Sequence, residues 1–241
     1  MSTEINLWNN TLRASLALPF VKVNREHFLT KELQIYCSPE QLQIAVNESP
    51  TKVLTPSQIS KIAKGCIKYH LTMVCTISAV AGLPGGLALV GAIPADIAQF
   101  YGHILALTQK LLYLYGWPSL ENKDGKLDDE TAQILTLFVG LMMGCKAANN
   151  AINKIAQDVA IQVAKRLPSK ALTRSAIYNI SKAVAKWIGI SLTKGTFAKG
   201  ISKIIPLIGA PVSATVTYLS FKPMAEKLKK HLDAQLQLQN Q

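Results

Sequence analysis

The stretch of residues 69–115 constrains the fold of this chain most, because it carries almost no charge. Between Tyr69 and Gln109, Asp96 is the one residue with a formal charge. The first half is apolar and is broken by Gly and Pro, whereas the second half predicts one long apolar helix from Pro94 to about Tyr115. The break argues against a single membrane span and favours a hairpin, either re-entrant in a membrane or buried in protein.

This hairpin has a companion near the C-terminus. Residues 204–221 form a second uncharged run that also carries Pro and Gly at its start, and Lys222-Pro223 is expected to end it. Small residues and Pro at the mouth of an apolar helix predict a similar turn in both places. The predicted hairpin residues are Gly82, Pro84, Gly85, Gly86, Pro94, Pro206 and Gly209.

Start signals along the chain predict helices, and no segment of any length has the alternation of a strand. Ser38 and Thr55 each precede a Pro, with Gln three residues on, which is the pattern of a capping box. Asn24 and Asp128 are further predicted N-caps, and Gly116 is a predicted helix end. We therefore predict an all-α, multi-helix bundle around the central hairpin broken by Gly and Pro.

We predict three sections along the chain. Residues 1–55 are predicted to be a peripheral N-terminal helical segment, residues 56–232 the helical domain, and residues 233–241 a polar tail. Within the domain, one helix is expected over residues 131–152, with Gly140 and Gly144 spaced for close helix approach.

The charge of the chain is unevenly distributed. Charged residues are only 17% of the chain, against about 25% in an average soluble protein. Residues 1–145 hold 11 Lys or Arg and 11 Asp or Glu, so the net charge of +12 comes entirely from residues 146–241. Such a field attracts an anionic membrane, nucleic acid or an acidic protein, although lysines also simply keep an apolar protein soluble.

Among these partners, the residue types favour a membrane surface or an acidic protein over nucleic acid. The residues between the lysines are aliphatic rather than aromatic, and Arg166 and Arg174 are the two arginines of this region. Base and phosphate recognition favours Arg, whereas Lys with aliphatic residues is typical of helices that lie on anionic membranes. The predicted surface contacts are Lys170, Arg174, Lys182, Lys186, Lys194, Lys199 and Lys203.

The strongest candidate for chemistry is a polar stripe on the apolar helix, formed by Asp96, Gln99 and His103. Asp96 and His103 lie two turns apart, about 10 Å along the axis, so Gln99 would have to bridge them. One interpretation is a polar seam that handles protons or ions, or docks a partner helix. In the other, Asp96 caps its own helix and His103 is a satisfied core or surface histidine. His27, His70 and His231 stand alone, without a carboxylate or Cys partner at ligand spacing, and each is expected to be structural or exposed.

Motifs for catalysis, cofactors and metals are absent from the sequence. It contains no phosphate-binding loop, no zinc-protease motif and no nucleophile elbow. The four cysteines form no CxxC pair, and no histidine lies at ligand spacing from them, so a disulfide framework and a zinc site are not expected. We therefore predict no enzymatic activity, no cofactor and no metal. The N-terminus lacks a secretory signal, which indicates a reducing cytoplasmic compartment.

Several short motifs resemble those of the bacterial EcsC family. They are AGLPGG at residues 81–86, IPADI at 93–97, LYG at 114–116, and KIIPLIGA at 203–210 followed by Thr217-Tyr218. The likeness covers roughly residues 60–232. It implies a helical, hydrophobic protein encoded beside an exporter, without an established enzymatic activity, and it brings no catalytic residues. The chain departs from the family at Ser213-Ala214-Thr215, where the family is glycine-rich.

Together these features predict a non-catalytic membrane-associated accessory protein on the cytoplasmic side of the membrane, peripheral or partly inserted. Its apolar hairpins would contact the membrane or a membrane protein, and its Lys-rich face would lie on the anionic surface. The alternative is a soluble helical interaction protein with the hairpins buried. Its basic face would then bind an acidic protein or nucleic acid.

Overall fold

The described part of the chain is built from α-helices, which confirms the predicted all-α fold. The computed structural model describes residues 2–81, 89–90, 93–121, 127–161, 174–193 and 209–239. The helices are α1 (Thr3–Leu16), α2 (Arg25–Leu33), α3 (Pro39–Asn47), α4 (Pro56–Ala81), α5 (Ala95–Leu114), α6 (Asp129–Met143), α7 (Lys146–Ile161), α8 (Arg174–Thr193) and α9 (Gly209–Gln239). The remaining elements are a 3₁₀ turn at Pro50–Lys52 and two antiparallel two-residue strands before α5, β1 (Leu89–Val90) and β2 (Ile93–Pro94).

The predicted helix starts are confirmed where local signals specified them. The Ser38 hydroxyl accepts a hydrogen bond from the backbone N–H three residues on, and the Gln there bonds back to Ser38. Thr55 and Gln58 form the same reciprocal pair at the start of α4. Asn24 and Asp128 also accept from the first turns of their helices. Each such cap contributes about 1 kcal/mol to helix stability.

Helix α5 lies at the centre of the bundle. Fifteen of its 20 residues are buried, and it contacts α1, α2, α4, α6 and α9. Burying a leucine contributes roughly 2 kcal/mol, so this helix carries a large share of the core. The prediction that it is enclosed is confirmed, and the covering comes from protein. Among the described helices, none has both the length and the apolar character needed to cross a bilayer.

Helices α4, α5 and α9 define one end of the bundle. Helix α9 runs antiparallel to α4, since Lys229 bonds to Ser60 near the start of α4 while the Cys75 thiol lies 3.6 Å from the carbonyl oxygen of Ala214. Helix α5 is also antiparallel to α4. The end of α4 and the starts of α5 and α9 therefore lie together, and we call this the hairpin end.

The N-terminal segment is part of the core, so the prediction that residues 1–55 are peripheral is wrong. The Trp8 side chain is fully buried, packs edge-on against Tyr101 and donates from Nε1 to the Thr136 hydroxyl at 3.0 Å. The Gln109 amide on α5 bonds to the backbone of Val21 and Val23. These contacts cross about 90 to 130 positions of sequence, and no local pattern encodes them.

Helix α1 approaches α8 closely enough that a glycine is required. A Cβ atom at Gly189 would lie 2.0 Å from the carbonyl oxygen of Glu4, and a backbone atom has no rotamer by which to move away. Gly65 on α4 provides the opposite case, because nothing lies within 4 Å of a Cβ placed there.

This contrast generates a matched pair of substitutions. Gly189→Ala should lower the free energy of unfolding by at least about 2 kcal/mol, because α1 and α8 must separate to admit the methyl group. Gly65→Ala should raise it by about 0.5–1 kcal/mol, because alanine is the better helix former. Chemical denaturation of both variants measures the two values, and equal effects would contradict this packing.

The predicted helix over residues 131–152 is two helices. Helix α6 ends at Gly144, whose φ of 95° is left-handed, and α7 begins at Lys146. A left-handed glycine is a common helix end. Gly140 does serve close approach, as expected, because a Cβ there would lie 2.4 Å from Val184 on α8.

Helix α9 is longer than predicted, because Pro223 lies inside it instead of ending a run at Lys222. Its buried face includes Phe221, Leu228 and Leu236, and continuous packing of that face outweighs the roughly 3 kcal/mol that an interior proline costs. Pro223 itself is exposed. The predicted boundary at residue 232 therefore falls inside a helix, and the expected polar tail contributes to the core.

Candidate functional site

Two histidines meet in the interior between α4 and α5. The Nδ1 atoms of His70 and His103 lie 3.1 Å apart, so one ring donates a hydrogen bond and the other accepts it. Both residues are at least 96% buried, and neither Nε2 atom has a partner in the described part of the chain. Phe20 stacks on the His103 ring at 4.5 Å between centroids. The interpretation that His70 stands alone is therefore wrong.

The polar seam predicted on α5 is not continuous in the described contacts. Asp96 is exposed and accepts a hydrogen bond from the backbone N–H of its neighbour Ile97. Within the described residues the buried Gln99 Oε1 atom has no hydrogen-bond partner, so it does not bridge Asp96 and His103 there. These positions agree with the alternative interpretation, in which Asp96 serves its own helix start and His103 lies in the core.

Burial keeps both rings of the histidine pair neutral. Desolvation, with the nearby Lys110 ammonium and His103, lowers the pKa of His70 to about 2. Desolvation and Lys110 lower the pKa of His103 to about 4. A neutral pair can exchange one hydrogen bond, whereas two charged rings could only repel each other. The pair thus provides a buried hydrogen bond that joins α4 to α5 near neutral pH.

The buried histidine pair predicts a loss of stability in acid. Because both pKa values are lower in the folded state than the usual value of about 6.5, the unfolded chain binds more protons as the pH falls below 6.5. The free energy of unfolding should then fall by up to about 1.4 kcal/mol per pH unit for each histidine. The fall due to His103 should end near pH 4, and the fall due to His70 should continue to lower pH. Urea unfolding between pH 7 and pH 4 measures this slope.

The control for this prediction is the exposed His27. His27→Gln should keep the wild-type pH slope, whereas the double variant His70→Gln/His103→Gln should be less stable at pH 7 and show a flatter slope. Parallel slopes for all three proteins would show that the buried pair does not set the acid response.

The second candidate site is the groove between α4 and α9, which we call the lysine groove. It encloses about 520 Å³, within the range of small-ligand sites. Ile67 is buried and Leu71 half-buried, and both line the groove with apolar surface. The lining residues are Lys64, Ile67, Lys68 and Leu71 of α4, and Tyr218, Lys222, Glu226, Lys229, Lys230 and Asp233 of α9.

The carboxylates of the lysine groove are already paired. Asp233 receives hydrogen bonds from Lys229 at 2.6 Å and from the Tyr115 hydroxyl at 2.5 Å, and Lys229 also donates to Ser60. Burial and the Asp233 carboxylate raise the pKa of Tyr115, so its hydroxyl stays a donor. Glu226 lies 3.9 Å from the Lys222 ammonium.

The remaining charge of the groove is positive. Lys64, Lys68 and Lys230 form no ion pair within the described residues. Five lysines and two carboxylates line the groove, so it has a net charge of +3, which is the condition for attracting an anion.

Apolar side chains are exposed beyond the lysines, towards the hairpin end. On α4, Tyr69 is 55% exposed and Met73 37% exposed. On α9, Tyr218 is 40% exposed and Leu219 65% exposed. Both helices therefore change from cationic to aromatic and apolar in the same direction.

A second groove, between α1, α6 and α8, has balanced charges. It encloses about 510 Å³ and is lined by Arg13 and Lys182 as well as by Asp128 and Asp129. With cations and carboxylates on the same rim, it shows no preference for one sign of ligand. We therefore assign it no role.

Most of the predicted surface cations and hairpin residues cannot be placed. Lys182 and Lys186 are exposed on α8, while Arg174 begins that helix. Pro94 lies in β2, and Gly209 begins α9. The residues outside the described part are Lys170, Lys194, Lys199, Lys203, Gly82, Pro84, Gly85, Gly86 and Pro206.

The described residues contain no cluster of three or more His, Cys, Asp or Glu side chains that could hold a metal ion. All four cysteines are free, with Cys66 and Cys145 buried and Cys37 and Cys75 half-buried. Burial raises the pKa of the Cys66 thiol to about 12, so that thiol is not a reactive nucleophile at neutral pH.

Comparisons with known proteins place no constraint on the site: no family model matches the chain, and no curated protein or solved structure was found to be similar. The likeness to the EcsC family therefore remains a resemblance of short motifs. The function is therefore inferred from the geometry of the site.

Proposed function

We propose that this chain is a non-catalytic protein that docks on anionic membrane surfaces through its hairpin end. The observation that supports the proposal is the shared gradient on α4 and α9, from lysines to exposed aromatic and apolar side chains. The docking is peripheral, because fifteen of the 20 residues of the apolar helix α5 are buried in protein.

The spacing along α4 matches the layers of a membrane surface. Lys68 and Met73 are five residues apart, which is about 7 Å along a helix. The headgroup layer on each side of a bilayer is about 5–8 Å thick. Lys68 can therefore reach the phosphates while Met73 contacts the interface, and Tyr69 takes the interfacial position that tyrosines favour.

Helix α9 supports the same placement. Tyr218 and Leu219 lie closer to the hairpin end than Lys222, which follows one turn later. Lys222 donates to the Tyr218 hydroxyl at 2.9 Å, so the ring and the ammonium move as one unit. Near an anionic surface each such lysine contributes about 1 kcal/mol, an attraction that salt weakens.

The second candidate function is an interaction protein whose basic face binds an acidic protein or nucleic acid. The burial of α5 favours it, because a sheltered hairpin helix needs no lipid. It leaves the exposed pair Met73 and Leu219 without a role, which is why we place it second.

Sedimentation with lipid vesicles tests the proposal. The chain should bind vesicles containing phosphatidylglycerol, should bind pure phosphatidylcholine vesicles weakly, and should dissociate as the salt concentration rises. Met73→Ser/Leu219→Ser should weaken binding at least about tenfold, because two partly exposed apolar side chains no longer enter the interface.

The matched control is Ile35→Ser/Leu238→Ser, which removes two exposed apolar side chains away from the hairpin end. This variant should bind as the wild type does. Equal loss in both double variants, or no binding to any vesicle, would refute the proposal. Salt-sensitive binding to RNA or to an acidic polypeptide in the absence of lipid binding would select the second candidate.

A further inference from the structure

We infer that the lysine groove is a site for one anionic phospholipid, with the phosphate held between Lys64, Lys68 and Lys222. The acyl chains would run over Leu71 towards the hairpin end. This inference extends the proposed function, since it assigns a single bound lipid to the surface on which the membrane would lie.

The register of α4 and α9 brings these cations to one place. The contacts of Ser60 with Lys229 and of Cys75 with Ala214 set an antiparallel register that holds over 15 residues of each helix. In this register Lys68 lies level with Lys222 to within one residue. Both lysines line the groove, so their ammonium groups can bind one phosphate from the two helices.

The groove also supplies a neutral donor. Lys222 donates to the Tyr218 oxygen, so the phenol proton is free to donate to a phosphate oxygen. The Tyr218 hydroxyl and the Glu226 carboxylate raise the pKa of Lys222, which keeps its ammonium charged. A bound phosphate would thus meet both charged and neutral donors.

The polarity of the groove fixes the direction of the lipid. At the end away from the hairpin end, Lys229 and Asp233 bond to each other, and they also bond to Ser60 and Tyr115 respectively, so these polar groups are already satisfied. The other end of the groove opens past Leu71 to the exposed apolar residues of the hairpin end. A lipid whose chains remain in the membrane would therefore enter with its chains towards the hairpin end and its headgroup towards Glu226 and Lys230.

The occupant follows from the combination of charge and apolar surface. Inorganic phosphate would use the lysines but not Ile67 and Leu71, and an uncharged hydrocarbon chain would leave the lysines unpaired. A phospholipid with an anionic headgroup satisfies both parts of the groove. A zwitterionic lipid would bring its own cation next to the lysines and is expected to bind less tightly.

Soluble short-chain lipids separate this site from membrane docking. Dihexanoyl phosphatidylglycerol and dihexanoyl phosphatidylcholine, both below their micelle concentrations, would be titrated into the full chain by calorimetry. The glycerol lipid should bind at one site, at least about tenfold more tightly than the choline lipid. Equal affinities, or displacement of the lipid by an equal concentration of inorganic phosphate, would overturn the inference.

Variants provide the second readout. Lys64→Gln/Lys68→Gln/Lys222→Gln should lose the preference for the glycerol lipid, and Tyr218→Phe should weaken it several-fold while leaving every charge in place. The control Lys61→Gln/Lys146→Gln/Lys227→Gln removes the same charge from lysines outside the groove and should keep the preference. Loss in the control equal to loss in the groove variant would overturn the site.

The two proposals fail in different ways. If the protein binds the soluble lipid selectively but does not bind vesicles, the lipid site in the groove is supported and membrane docking is refuted. Vesicle binding without any selectivity for the soluble lipid would preserve docking and refute the groove.

Discussion

The removal of helix α5 from water is the constraint on which the rest of the structure depends. A helix that is apolar on nearly every side must be covered on every side, and here five helices provide that cover. The need to cover α5 explains why α1 belongs to the core, with its Trp8 ring against Tyr101. It also explains the length of α9, which continues through Pro223. The same need explains why the buried Gln109 amide is bonded inward, to the α1–α2 connection.

Sequence reasoning predicted what depends on neighbouring residues. The caps at Ser38, Thr55 and Asp128 were predictable because the donor and acceptor lie within three positions. The enclosure of α5 was predictable from its even apolar surface. The break at Gly144 was missed because a glycine inside an apolar run fits a close helix contact as well as it fits a left-handed helix end.

The candidate site was harder to predict, because it depends on pairs that are distant in sequence. His70 and His103 lie 33 positions apart, and nothing near His70 marks it as a partner. The lysines of the groove lie on helices about 150 positions apart, so a count of charge along the chain directed attention to residues 170–203 instead. The polar stripe on α5 did identify His103, although its partner lies on α4 and not at Asp96.

The contact between Gly189 and Glu4 has a consequence for how the protein is made. Helix α1 leaves the ribosome before α6 and α8, although it packs on α8 as well as on α5 and its Trp8 bonds to Thr136 of α6. At about 5–20 residues per second, roughly 10–40 s separate the synthesis of Glu4 from that of Gly189. During this interval Trp8 and its apolar neighbours have no native partner on α8. Helix α1 thus reaches its final place only after α8 has been made, and until then it is a surface on which a chaperone or a second nascent chain can bind.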